Sequence, residues 1–130
     1  MNGPWRLAGR VAMCAAFAGL SPACGNGSST SAVDRAARAE HGRSLYASNG
    51  CGVCHGTDGR GDGPSAATLT PAPRDLRNPA SFERGAGVED IATTLGAETN
   101  RETIQMPSFS HLPEADRLAL AEFIVSLRTP

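Results

Sequence analysis

The chain has 130 residues, of which 40% are hydrophobic and 19% charged. That is room for one domain of ordinary globular composition, which excludes a two-domain enzyme, a disordered polypeptide and a multi-span membrane protein. Twelve basic and thirteen acidic residues leave a formal charge of −1, and without a cationic excess a nucleic-acid backbone finds no electrostatic footprint. All the basic residues are arginine, so Schiff-base lysine catalysis and a P-loop lysine are excluded as well. The four cysteines fall into two pairs, Cys14 with Cys24 and Cys51 with Cys54. A disulfide framework is one of several readings of that count.

Residues 1–23 read as a cleaved leader. Arg6 and Arg10 precede an apolar run from Val11 to Leu20, which is half the roughly 20 residues that span a bilayer. Cys14, inside that run, is a small hydrophobe. Ser21-Pro22-Ala23-Cys24 resembles the processing box of bacterial lipoproteins, in which the cysteine becomes the lipid-modified first residue. It departs from that pattern in carrying Ser21 where leucine is preferred, with Leu20 one place earlier. An ordinary signal-peptidase cut would use the small residues Ser21 and Ala23 and break the same bond without adding lipid. The following Gly25-Asn26-Gly27-Ser28-Ser29-Thr30-Ser31 has the composition of a flexible tether and favours lipid. The expected organisation is a leader over 1–23, an anchor cysteine and tether over 24–31 and a domain over 32–130. The product is exported to the periplasmic side, held to a membrane by lipid on Cys24 or, without lipid, soluble there.

Removing the leader leaves 107 residues with a net charge of −3 and only Tyr46, Phe82, Phe109 and Phe123 as aromatics. So small a core commonly needs a metal, disulfides or a large cofactor. Cys51-Gly52-Val53-Cys54-His55 supplies that help. C-x-x-C-H reads as covalent attachment of c-type haem, with two thiols adding to the vinyl groups and the adjacent His55 ligating the iron. Two other readings compete. A thioredoxin-like redox pair wants a βαβ context and an aromatic before the first cysteine, where Gly50 stands. A structural zinc site needs about four ligands, and beyond Cys51, Cys54 and His55 the only histidines are His41 and His111.

On these residues the chain resembles the bacterial class I, monohaem c-type cytochromes from the end of the tether onward. Glu40-His41-Gly42-Arg43-Ser44-Leu45-Tyr46 is similar to that family's N-terminal helix, whose glycine and aromatic pack on the C-terminal helix; Gly42 and Tyr46 take those places. Gly42, Leu45, Tyr46 and Asn49 also share one helical stripe, and a glycine there, at a cost of about 1 kcal/mol, suggests close helix approach. His55 to Pro64 is too rich in glycine for regular structure and reads as loop. The resemblance implies that a proline carbonyl in Thr70-Pro71-Ala72-Pro73-Arg74-Asp75-Leu76, Pro73 in preference to Pro71, accepts the hydrogen bond of the His55 ring and fixes its tautomer.

Val88, Ile91, Ala92 and Leu95 repeat at helical spacing between Gly87 and Gly96 and predict a short helix. From Pro113, Glu114 and Asp116 favour a helix start, and Leu120, Phe123, Ile124 and Leu127 form one face running to Arg128. Leu120 and Phe123 hold the positions that meet the glycine and aromatic of the first helix in the family. No strand and no internal repeat is read. The expected fold is all-α, a small cytochrome c-like helical domain wrapped around one covalently attached haem.

Met106, the one methionine after the leader, stands in Gln105-Met106-Pro107-Ser108-Phe109, 51 residues after His55. It is similar to the family's distal Met-Pro loop, which implies that Met106 is the second iron ligand; His41 and His111 are its rivals. The resemblance implies an electron carrier with one haem c, whose iron serves redox partner proteins and no small-molecule substrate. The other readings are a haem-bearing subunit of a larger oxidoreductase, and a haem protein in which a labile Met106 leaves iron open to a small ligand. Arg60, Arg74, Arg77 and Arg84 are interleaved with Asp58, Asp62, Asp75 and Glu83, so no strongly cationic docking face is expected.

Overall fold

The computed structural model describes residues 27–97 and 106–128. The leader and Cys24 lie outside the described residues. Among the described residues four helices follow one another, α1 (Gly27–Ser48), α2 (Gly52–His55), α3 (Val88–Gly96) and α4 (Glu114–Ser126), with 3-10 turns at Ala66–Thr68 and Pro79–Ser81. No strand occurs among the described residues, and the fold is all-α as expected. None of these helices is long and apolar enough to cross a membrane.

The tether expected over 24–31 is helical from Gly27. The reason lies downstream, where Ala36, Ala37 and Ala39 have high helix propensity and Asp34 stands four residues before Arg38, the favourable order for a charge pair. A helix nucleated there extends backward at little cost per residue.

The second half of α1 packs on α4. A side chain at Gly42 would run into the Ala119 carbonyl, so only glycine lets the two backbones meet. The partner of Gly42 is thus the Ala119 backbone and the Phe123 Cβ, beside the Leu120 that the family resemblance names. One turn later the Tyr46 ring meets the Phe123 ring edge-on, with centroids 5.2 Å apart. Phe123 and Leu120 are the largest fully buried side chains, and burial of each contributes about 1.5–3 kcal/mol.

α4 is more buried than one apolar face predicts. Ala119 and Ala121 are covered along with Leu120, Phe123 and Ile124, whereas Leu127 is only half-buried. The cause is that α4 packs on both α1 and α3. α3 turns Ile91, Ala92 and Leu95 inward, and its N-terminus is closed by the Asp90 carboxylate, which accepts the Gly87 N–H at 3.2 Å. At its far end Gly96 lies against the Arg117 guanidinium of α4, whose Nη1 donates to the Leu112 carbonyl at 2.6 Å.

Candidate functional site

The end of α1 delivers the motif. Gly50 adopts φ +69°, and around it the Gly50 N–H bonds the Ala47 carbonyl while the Cys51 N–H bonds the Tyr46 carbonyl. That is a Schellman closure, which needs a left-handed residue and reverses the chain at once. α2 begins on the far side of that turn. Its single turn is held by His55 N–H on Cys51 O at 2.9 Å and Gly56 N–H on Gly52 O at 2.9 Å. On such a turn residues i, i+3 and i+4 share a face. Cys51, Cys54 and His55 occupy those places, so the C-x-x-C-H spacing is the spacing of one helical face.

Short as it is, α2 is capped thoroughly. The Gly61, Gly63 and Ser65 amides donate to the carbonyls of His55, Cys54 and Val53 at 2.8, 3.1 and 3.0 Å. The glycine-rich segment read only as loop therefore wraps the carbonyl end of the motif. The Tyr46 hydroxyl adds a buried bond to the Gly56 carbonyl at 2.7 Å. Burial raises the Tyr46 phenol well above its usual range and keeps it a neutral donor.

His55 is 9% exposed. Its Nδ1 lies 3.1 Å from the carbonyl oxygen of Arg74, and its Nε2 makes no hydrogen bond among the described residues. The acceptor is thus one residue beyond Pro73. The Pro73 carbonyl is turned away and pressed against Gly61, whose own N–H holds His55 O. Arg74 is fixed from several sides. Its Nη1 donates to Ser81 O at 2.7 Å and its guanidinium stands 5.5 Å from the centroid of the Phe82 ring. Arg128, at the end of α4, reaches the same ring at 4.9 Å and donates to Ala86 O at 2.6 Å. Two residues on, the Leu76 N–H bonds Gly59 O at 2.7 Å.

Burial keeps the imidazole below its usual pKa, outweighing the Arg74 carbonyl that raises it. Burial likewise pushes the Cys51 thiol up to about 11, so it is a poor thiolate of the kind a redox-active C-x-x-C pair requires. No disulfide joins Cys51 to Cys54.

Met106 opens the second described stretch, half-buried and packed against the core cluster. Three residues later the Phe109 N–H donates to Leu95 O at 2.8 Å, pinning the segment to the end of α3. The rival histidines stand elsewhere. His41 is exposed on α1 and meets Asp116 of α4 at 2.9 Å; His111 is exposed, its ring tilted against Phe109 at 6.1 Å. Among the described residues no three of His, Cys, Asp and Glu come together as a metal site, which leaves a zinc site short of its ligands.

This donor set fits a covalently held haem. Two unpaired thiols stand at i and i+3, and a buried imidazole has one nitrogen held by a carbonyl and the other without a partner among the described residues, the division expected of an iron-ligating histidine. A thioether from a separate segment joins the same core. The sequence missed the Tyr46 hydroxyl, the Gly61 and Gly63 amides and the Arg74 carbonyl. Only the density of glycines after the motif hinted at amides brought in close.

The family model for cytochrome c matches residues 39–128, which spans the packed part of α1, the motif, α3 and α4. Comparison with curated proteins and with solved structures gives no match. With the thiol pair, the held imidazole and an all-helical frame around them, the chain belongs to the cytochrome c family: it is a c-type cytochrome that binds haem c through Cys51 and Cys54 and serves electron transfer.

Proposed function

We propose that the protein is a monohaem electron carrier of the class I type, with His55 and Met106 as the axial iron ligands, working on the periplasmic side of a bacterial membrane to which lipid on Cys24 attaches it. The observation that carries the reading is the His55 ring, with Nδ1 at the Arg74 carbonyl and Nε2 unengaged. A carbonyl at Nδ1 fixes the tautomer and leaves the Nε2 lone pair as the one turned to a metal. The single C-x-x-C-H in the sequence supports one haem. Bound haem supplies a one-electron ferric–ferrous couple.

The chain's own part is to hold both ligands still. Arg74 is clamped by Ser81 and Phe82, Met106 lies in a segment fixed through Phe109, and Pro107 restricts the backbone beside the sulfur. Ligands that do not move between the two oxidation states leave little to rearrange on electron transfer. The thioether favours reduced iron and raises the potential relative to bis-histidine ligation. With His55 and Met106 both holding the iron, no position on it would be left for a substrate. Redox proteins are the partners.

The test is the purified holoprotein with Met106→Ala, His41→Ala or His111→Ala. Met106→Ala is expected to lose the long-wavelength band of ferric iron–thioether coordination and to lower the potential, while the two histidine variants keep both. A wild-type band and potential in Met106→Ala, with loss of both in a histidine variant, would assign the protein to the bis-histidine cytochromes.

A further inference from the structure

The family match begins at residue 39, yet α1 begins at Gly27. The helix therefore enters the domain already formed, carrying an extension of about 12 residues that at 1.5 Å per residue is roughly 18 Å long. Every described side chain from Ala32 to Arg38 is exposed, and Val33 is 68% exposed. Among the described residues, the most N-terminal side-chain tie of α1 to α4 is Arg38 with Glu122 at 3.6 Å.

The side chains show that this stretch is built for water. The stripe that faces α4 runs through Gly42 and Tyr46. Stepping back from Gly42 by three, four, seven and eight residues reaches Ala39, Arg38, Arg35 and Asp34. Apolar character on the core-facing stripe thus stops where α1 leaves α4, at the Arg38–Glu122 pair, and charges continue in its place, which is the composition of a solvated helix rather than of one awaiting a partner. The opposite side offers only Ala32, Val33, Ala36 and Ala37, too little apolar surface to lie in a bilayer interface.

We infer that residues 27–38 are a rigid spacer, which holds the electron-transfer domain at a set distance and orientation from its point of attachment. The standoff from a membrane rests on the anchoring at Cys24 proposed above; the rigidity does not. A flexible chain of this length has a root-mean-square span of about 19 Å, nearly the same as the helix, but ranges up to about 40 Å when extended. The gain from a helix is therefore a narrow distribution. For electron transfer, which falls steeply with distance, a narrow distribution keeps the haem facing partners in or on the same membrane.

Two measurements on the holoprotein decide this. With Cys24→Ser, nitroxides on Val33→Cys and on Thr93→Cys, an exposed position of α3, are expected to give one narrow distance. Adding Ala36→Gly and Ala37→Gly should broaden it while the haem spectrum stays unchanged. A broad distance in the parent overturns the spacer. The mature lipid-bearing protein is then placed on phosphatidylcholine–phosphatidylglycerol vesicles carrying a headgroup fluorophore that haem quenches. Seven residues of helix inserted after Ala36, about 10 Å, should weaken quenching at least twofold. Unchanged quenching overturns the standoff. Absence of lipid on Cys24 by mass, with no vesicle retention, overturns the anchoring and the standoff together, while the nitroxide distance still decides rigidity.

Discussion

A single hydroxyl ties the first helix to the haem-binding turn. Tyr46 donates to Gly56 O at 2.7 Å inside the core while its ring leans on Phe123. Tyr46→Phe keeps the ring and leaves a buried carbonyl without its donor, a loss of about 1–3 kcal/mol. A lowered urea midpoint with an unchanged slope in the holoprotein is the expected outcome. Gly42→Ala acts at the neighbouring point by a different route, because its methyl meets the Ala119 backbone, which cannot rotate away. The expected loss is about 1–3 kcal/mol from forced separation of α1 and α4, read in the same titration. The thiols and His55 were legible because they are adjacent in the chain, and adjacency on one helical turn is what the chemistry requires. The Arg74 carbonyl was not, since a backbone acceptor leaves no mark on residue type. The family resemblance points to Pro73, one residue short of the Arg74 carbonyl that the ring meets.

Among the elements, α3 and α4 were legible from period and caps, each being an apolar stripe with acidic residues in the first turn. The start of α1 was not. Its glycine and serine content suggested a tether, but the alanines that follow propagate the helix through it. α2 was illegible for another reason, because one turn has no period and exists only through the Schellman closure before it and the glycine amides after it. Each of these devices converges on the motif. The described core, from Leu76 through Ile91, Leu95 and Phe109 to Phe123, has few large side chains, and a domain this small is marginal without help. Replacing both Cys51 and Cys54 by Ser is thus expected to yield a chain without covalent haem and with little or no cooperative urea transition by far-ultraviolet circular dichroism. A cooperative transition at the wild-type midpoint would show that the fold does not depend on the attachment.

For the molecule as a whole, charge places few demands on a partner. Arg60 stands 3.8 Å from Asp58 and Arg77 3.0 Å from Asp75, while Arg74 is turned onto Ser81 and Phe82. Of the arginines that the sequence shows interleaved with acids, two are thus paired locally and one is turned inward, while Arg84 is exposed, a local arrangement that offers a partner little concentrated positive charge. What distinguishes a carrier from a ligand-binding haem protein is instead the occupancy of both axial positions. The direct measurement is the absorption spectrum of the ferrous protein under carbon monoxide. Wild type is expected to keep its spectrum at equimolar gas, whereas Met106→Ala shifts promptly. A wild-type spectrum that shifts as readily as that of Met106→Ala would contradict ligation by Met106 and, with it, the reading of this cytochrome as a closed electron carrier.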